Sequence, residues 1–138
     1  MIAPGEIIEE WDFTVEAGKV REFARAVRDV HGEDSDIVPP TFPVVAAAPF
    51  VERLIVDVLA LDRSRTVHGE QRYDYFEPIR KGDRLRCTAR LAADEIKTGR
   101  RGGAMRVVTT EVEYRSIATG ALLCREAMTS IEKAAAEP

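Results

Sequence analysis

The sequence has none of the features that would place it in a bilayer, on a duplex or in an oxidising compartment. No stretch approaches the roughly 18 uninterrupted apolar residues of a membrane-spanning helix. Met1 to Glu10 carries neither a basic segment nor a long apolar core, so no signal peptide is expected. Cysteine is scarce: Cys87 and Cys124 stand alone, with no Cys-x-x-Cys and no metal-type spacing. Two such thiols predict small core hydrophobes in a reduced, cytoplasmic protein. Neither a metal nor a cofactor is expected. Positive charge is not in excess, since 20 Lys+Arg against 24 Asp+Glu leave a net charge of -4. That balance argues against nucleic acid as a partner. The one local exception is Lys97, Arg100 and Arg101. No internal repeat and no linker-like stretch is visible.

What is present is a globular composition. The chain has 138 residues, 45% of them hydrophobic and 32% charged, enough for one domain with a real core over residues 1–138. Trp11 to Thr14 reads as a short first strand. Thr14 is a candidate N-cap, with Glu16 in the first helical turn where a negative charge suits the dipole. Val20, Phe23, Ala24, Val27 and Val30 then recur at helical spacing, with Lys19, Arg21, Arg25 and Arg28 off the stripe, until Gly32 ends the pattern. His31 to Pro40 is an acidic, proline-bounded loop. Pro49 suits a first helical position. It opens a second helix over roughly Phe50 to Leu59, whose apolar residues cover most of its circumference and predict a helix wrapped by protein.

After Arg65 the period changes to 2. Tyr73 and Tyr75 share a face, as do Leu85, Cys87, Ala89 and Leu91, and as do Val108, Thr110, Val112 and Tyr114. The last strand, Ala121 to Ile131, alternates less cleanly, which predicts cover on both faces. Pro78 to Asp83, Thr98 to Gly103 and Ser116 to Gly120 are turns, short enough to predict antiparallel neighbours on either side. The tail from Lys133 to Pro138 is expected to fray. An antiparallel sheet of about five strands buries a helix this apolar by curling around it, so the fold class is α+β.

Four stretches, in this order, resemble the FAS1-like dehydratase domain of the MaoC-like dehydratases. They are Phe13 to Val27, the Pro39-Pro-Thr-Phe-Pro43 corner, Val67-His-Gly-Glu-Gln71 with Pro78 through Gly82-Asp83, and Gly103-Ala-Met105 through the strand holding Thr109, Thr110 and Glu111. The resemblance implies a single hot-dog fold, with a five-stranded sheet around a central helix. It implies a second strand, starting near Val67, that pairs with its copy on a partner subunit. It further implies an acyl chain on CoA or acyl carrier protein as substrate, and reversible dehydration of a (3R)-hydroxyacyl thioester.

Active relatives carry an Asp and a His a few residues apart after the first helix. One group handles the α-proton, the other the β-hydroxyl or its attacking water. Here that stretch reads Val30-His-Gly-Glu-Asp-Ser-Asp-Ile-Val-Pro39, with no Asn-Pro and no His following an Asp. His31 and Asp36 are the remaining acid/base candidates: either a displaced dyad, or a helix-ending His and a solvated acidic loop. Pro40, Thr41 and Phe42 fall, by resemblance, at the thioester end of the channel, where a backbone N–H steadies the carbonyl. The alternative is a rigid corner before the helix. His68, Gly69 and Gln71 are substrate-binding or interface candidates on the second strand, or ordinary strand residues. Arg100 and Arg101 suit a nucleotide phosphate or an acidic carrier protein, or simply a solvated turn. Two classes of function follow. One is the substrate-binding, non-catalytic half of a dehydratase, in a homodimer or paired with a catalytic hot-dog subunit. The other is a self-sufficient homodimeric hydratase or a thioesterase using Asp36 or Glu33. A non-catalytic acyl-thioester binder is the third possibility.

Overall fold

In the computed structural model, which describes residues 2–136, period-2 segments become long strands. They are β1 (Ile7–Thr14), β2 (Thr66–Tyr75), β3 (Arg84–Thr98), β4 (Ala104–Ser116) and β5 (Leu122–Glu132). They form one antiparallel sheet in the order β1-β3-β4-β5-β2. Leu85, Cys87, Ala89 and Leu91 of β3 are buried, and so are Val108, Thr110, Val112 and Tyr114 of β4. No residue of β5 is fully exposed, because it lies between β4 and β2 with the helix layer beneath.

Two helices precede β2: α1 (Ala17–Ala26) and α2 (Pro43–Arg53). A single π turn, Leu54–Val58, extends α2 and makes a central helix of about 16 residues. Ala46, Ala47, Phe50 and Leu54 turn into the sheet. Trp11 stacks on Phe50 with ring centroids 5.1 Å apart, and its indole N–H donates to the Ala46 carbonyl at 3.1 Å. Phe42, at the head of α2, meets Phe13 of β1 at 6.3 Å and Phe23 of α1 edge-on at 5.6 Å. Burying each large apolar side chain of this set is worth about 1.5–3 kcal/mol. At the other end of the helix, Arg106 pairs with Asp94 at 2.7 Å and donates to the Leu59 carbonyl, closing the last turn onto the sheet.

Several expectations are corrected. Thr14 does not cap a helix: it ends β1, and extended Glu16 occupies the cap position without a side-chain bond. The first helix stops at Ala26 rather than near Gly32. There the Asp29 N–H reaches the Ala24 carbonyl, the Arg28 N–H reaches the Arg25 carbonyl, and Arg28 sits at φ 58, which is a Schellman termination. Val27 and Val30 consequently lie exposed. The second helix starts at Pro43, and Pro49 lies inside it, where it simply omits one N–H. That helix is not covered all round, with Val44, Val56 and Val58 between 39% and 44% exposed, so a single chain does not wrap it. The Pro78–Asp83 connection is not a hairpin, because β2 pairs with β5 and β3 with β1. The connection instead crosses the end of the sheet, bridged to the acidic loop at Ile37 and Arg80 and to Val15 through Gly82. Beyond β5, Lys133–Ala136 has no regular structure, and residues 137 and 138 lie outside the described residues.

Candidate functional site

The alternation of β2 puts Gln71, Tyr73 and Tyr75 on one face, in a row that links two recesses. The first is an open, mostly apolar groove of about 340 Å³, lined by Ile37, Val38, Pro40, Tyr75, Phe76 and Pro78 with Glu77 at its rim. It lies where the proline corner before the central helix meets the end of β2. The Tyr75 hydroxyl donates to the Pro40 carbonyl at 2.8 Å and ties the two walls together. Burial raises the Tyr75 phenol well above its ordinary range, so it stays a neutral donor.

The second recess, about 30 Å³, lies between the central helix and the sheet. Val44, Ala47, Phe50 and Val51 line it from the helix, and Gln71, Thr110, Val112, Glu126 and Met128 from the sheet. Its polar feature is Glu126, whose residue surface is 3% exposed. The Tyr114 hydroxyl donates to Glu126 Oε1 at 2.8 Å, and Gln71 Nε2 donates to Oε2 at 2.6 Å. Gln71 Nε2 also lies 3.2 Å from the Tyr73 hydroxyl. Among the described residues, these partners are neutral. Burial holds the Glu126 carboxyl above the ordinary range, and the hydroxyls of Tyr114 and Tyr73 pull it partly back. The same burial raises Tyr114 and Tyr73. It also pushes the Cys87 and Cys124 thiols up to about 12, which makes them inert core residues.

The sequence candidates distribute as follows. Pro40 and Thr41 are exposed beside the groove, and Phe42 is buried beneath them. Gln71 reaches the inner recess. His68 and Gly69 are exposed on β2, at a bulge where a Cβ on Gly69 would meet the Ile131 side chain at 2.8 Å. Asp36 is exposed and paired with Arg80 at 2.9 Å. His31 is exposed too, its backbone N–H bound to the Asp29 carboxylate. Arg100 and Arg101 top the β3–β4 turn, at the far end of the sheet from the groove. The eight residue steps from Arg106 to Tyr114 alone span roughly 26 Å. Within one chain the structure does not bring them to Pro40 or Tyr75. Sequence reasoning did not single out Glu126, yet period 2 puts it on the inward face with Cys124 and Met128, and that pattern could have found it.

A curled antiparallel sheet around one central helix is the hot-dog fold. The profile of the FAS1-like dehydratase domain region matches residues 3–121. The chain belongs to that family, a MaoC-like hot-dog dehydratase domain. A UPF0336 protein of Streptomyces griseus is 37% identical over 94 residues, covering 59% of this chain and 63% of the relative. The chain thus matches somewhat less than two thirds of that relative's length. Among solved structures, a MaoC-like dehydratase superposes on 94% of this chain and 41% of its own with a TM-score of 0.72 at 21% identity. The HadBC (3R)-hydroxyacyl-ACP dehydratase complex of Mycobacterium tuberculosis gives 0.63 at 22% identity, covering 95% and 99% of the two chains.

Proposed function

We propose that this chain is the substrate-holding, non-catalytic half of a (3R)-hydroxyacyl thioester dehydratase, with the acyl group carried on CoA or acyl carrier protein. The observation that carries the reading is a contrast. The groove and central helix are built and braced, while the loop that should hold an acid/base pair leaves His31 and Asp36 exposed and Asp36 engaged by Arg80. Dehydration needs one group to remove the α-proton and one to protonate the departing β-hydroxyl, both shielded from water. A second hot-dog chain supplies that pair. On this side, the Thr41 N–H, which donates to no protein acceptor among the described residues, serves the thioester carbonyl.

The sheet edge supports a partner. β2 has a neighbour on one side only. Val67 and Phe76 are exposed on or beside it, as are Val44, Val56 and Val58 on the helix. An uncovered edge with apolar surroundings is a template for another strand. Two-fold pairing of β2 with an equivalent strand is antiparallel, so it sets the start of one against the end of the other. That brings the partner's β3–β4 turn to the groove end of this chain. In a homologous partner, residues in the position of Arg100 and Arg101 then face the phosphates of CoA or an acidic carrier protein. The buried thiols suit a reducing cytoplasm.

Substituting His31 and Asp36 together by alanine is expected to leave the hydratase activity of the assembled complex unchanged within about twofold, as for surface changes away from a site. A loss of a hundredfold or more, measured with crotonyl-CoA, would instead favour a displaced dyad in this chain.

A further inference from the structure

We propose that Glu126, held by Gln71 and Tyr114, is a specificity-determining end-stop of the acyl site, one that favours short acyl groups over long plain alkyl chains. The inference rests on the acyl-thioester reading above. A chain entering at the groove and following the inward face of β2 passes Tyr75, then Tyr73 with Glu126 opposite it, then Gln71, whose amide reaches back to the Glu126 carboxyl. Cα partners in the sheet fix that order: Tyr75 faces Cys124, Tyr73 faces Glu126 and Gln71 faces Met128. Apart from Thr110, the rest of the seam between helix and sheet is apolar, with Val44, Ala47, Phe50, Val51, Val112 and Met128 around it. At this depth the free space falls to about 30 Å³, room for a water or two but not for a run of methylenes.

Pushing an alkyl chain further would part Gln71 Nε2 from Glu126 Oε2, now 2.6 Å apart, and leave both against hydrocarbon. Stranding buried polar groups in this way is unfavourable. An acyl group that ends before this point leaves the pair intact. A hydroxyl or carbonyl oxygen on the acyl group can instead bond to the carboxyl, to Gln71 or to buried Thr110. The recess therefore discriminates by length and by polarity.

The test is calorimetric titration of the full chain, alone and with its catalytic partner, using butanoyl-CoA and decanoyl-CoA. The native chain is expected to prefer butanoyl-CoA by about tenfold or more, the size set by one stranded polar pair. Replacing both partners, Gln71→Leu with Glu126→Leu, removes the polar stop, and Tyr114 keeps the Pro43 carbonyl as an acceptor at 3.2 Å. That double variant is expected to lose the preference, while Glu126→Gln retains it. Native protein that binds decanoyl-CoA as well as butanoyl-CoA overturns the inference with no variant needed, and leaves the acyl-thioester reading standing. Failure to bind either thioester in any assembly overturns that reading, and the inference with it.

Discussion

Truncating Phe42 to alanine is expected to lower the unfolding free energy by about 3–5 kcal/mol, among the larger effects of any single core change. Phe42 is 1% exposed and holds three elements together: Phe13 from β1, Phe23 from α1, and the first turn of α2 that it heads. Its backbone is equally committed, since its N–H donates to the Pro39 carbonyl and its carbonyl accepts from Val45. Nothing nearby can collapse into the space, because the neighbouring rings are fixed by separate strands and helices. Urea unfolding should show a lower midpoint with little change in slope. Phe76→Ala is the control, since Phe76 is 55% exposed, and a change within about 0.5 kcal/mol is expected there. Equal effects at both positions would show that the aromatic cluster does not organise the corner.

Glu126→Ala is the second large effect. It leaves one N–H of Gln71 Nε2 without its acceptor in a buried recess, the other keeping the Tyr73 hydroxyl, an expected cost of about 1–3 kcal/mol before lost packing is counted. Glu126→Gln preserves shape and hydrogen bonding and costs less. The pair also makes a pH prediction. The Glu126 carboxyl in the folded protein is raised, so the native state binds its proton more tightly than the unfolded chain does. Stability from this group is fully present below the unfolded carboxylate range and is lost as pH rises through the folded value. Glu126→Gln lacks that loss. The stability difference, variant minus native, should therefore grow from acid to neutral pH. Asp94 behaves oppositely: its hydrogen bond from Arg106 lowers it, so its contribution is lost on acidification in both proteins and cancels in the comparison. A pH-independent difference would mean that Glu126 is not desolvated as described.

β3 and β4 were legible because each alternates cleanly, with Leu85, Cys87, Ala89 and Leu91 on one face of β3 and only Thr110 polar among Val108, Val112 and Tyr114 on one face of β4. The close of α1 was not legible. Its left-handed residue is Arg28 rather than glycine, and the hydrogen bonds that stop the helix depend on Asp29, which has no distinctive spacing. The start of α2 was misplaced because Pro43 and Pro49 both suit a first helical position, and only packing on Trp11 and Phe13 decides between them. The Pro78–Asp83 connection is as short as a hairpin. Its partners, Val15 and the Asp36–Val38 stretch, lie some 40 to 70 residues earlier, where no local pattern records them. In the candidate site, Gln71 was found through resemblance. Glu126 escaped notice because a charged residue in an irregularly alternating strand reads as outward-facing, and its satisfaction by Tyr114 and Gln71 is a tertiary fact.

The central claim is that this chain holds the acyl thioester and leaves the chemistry to a second hot-dog subunit. The most direct measurement is hydration of crotonyl-CoA by the purified chain, by a catalytic hot-dog chain bearing the Asp/His pair, and by the two co-expressed. The account predicts negligible turnover for this chain alone and a fast reaction only when the catalytic chain is present. Turnover by this chain alone at the rate of the complex would contradict it.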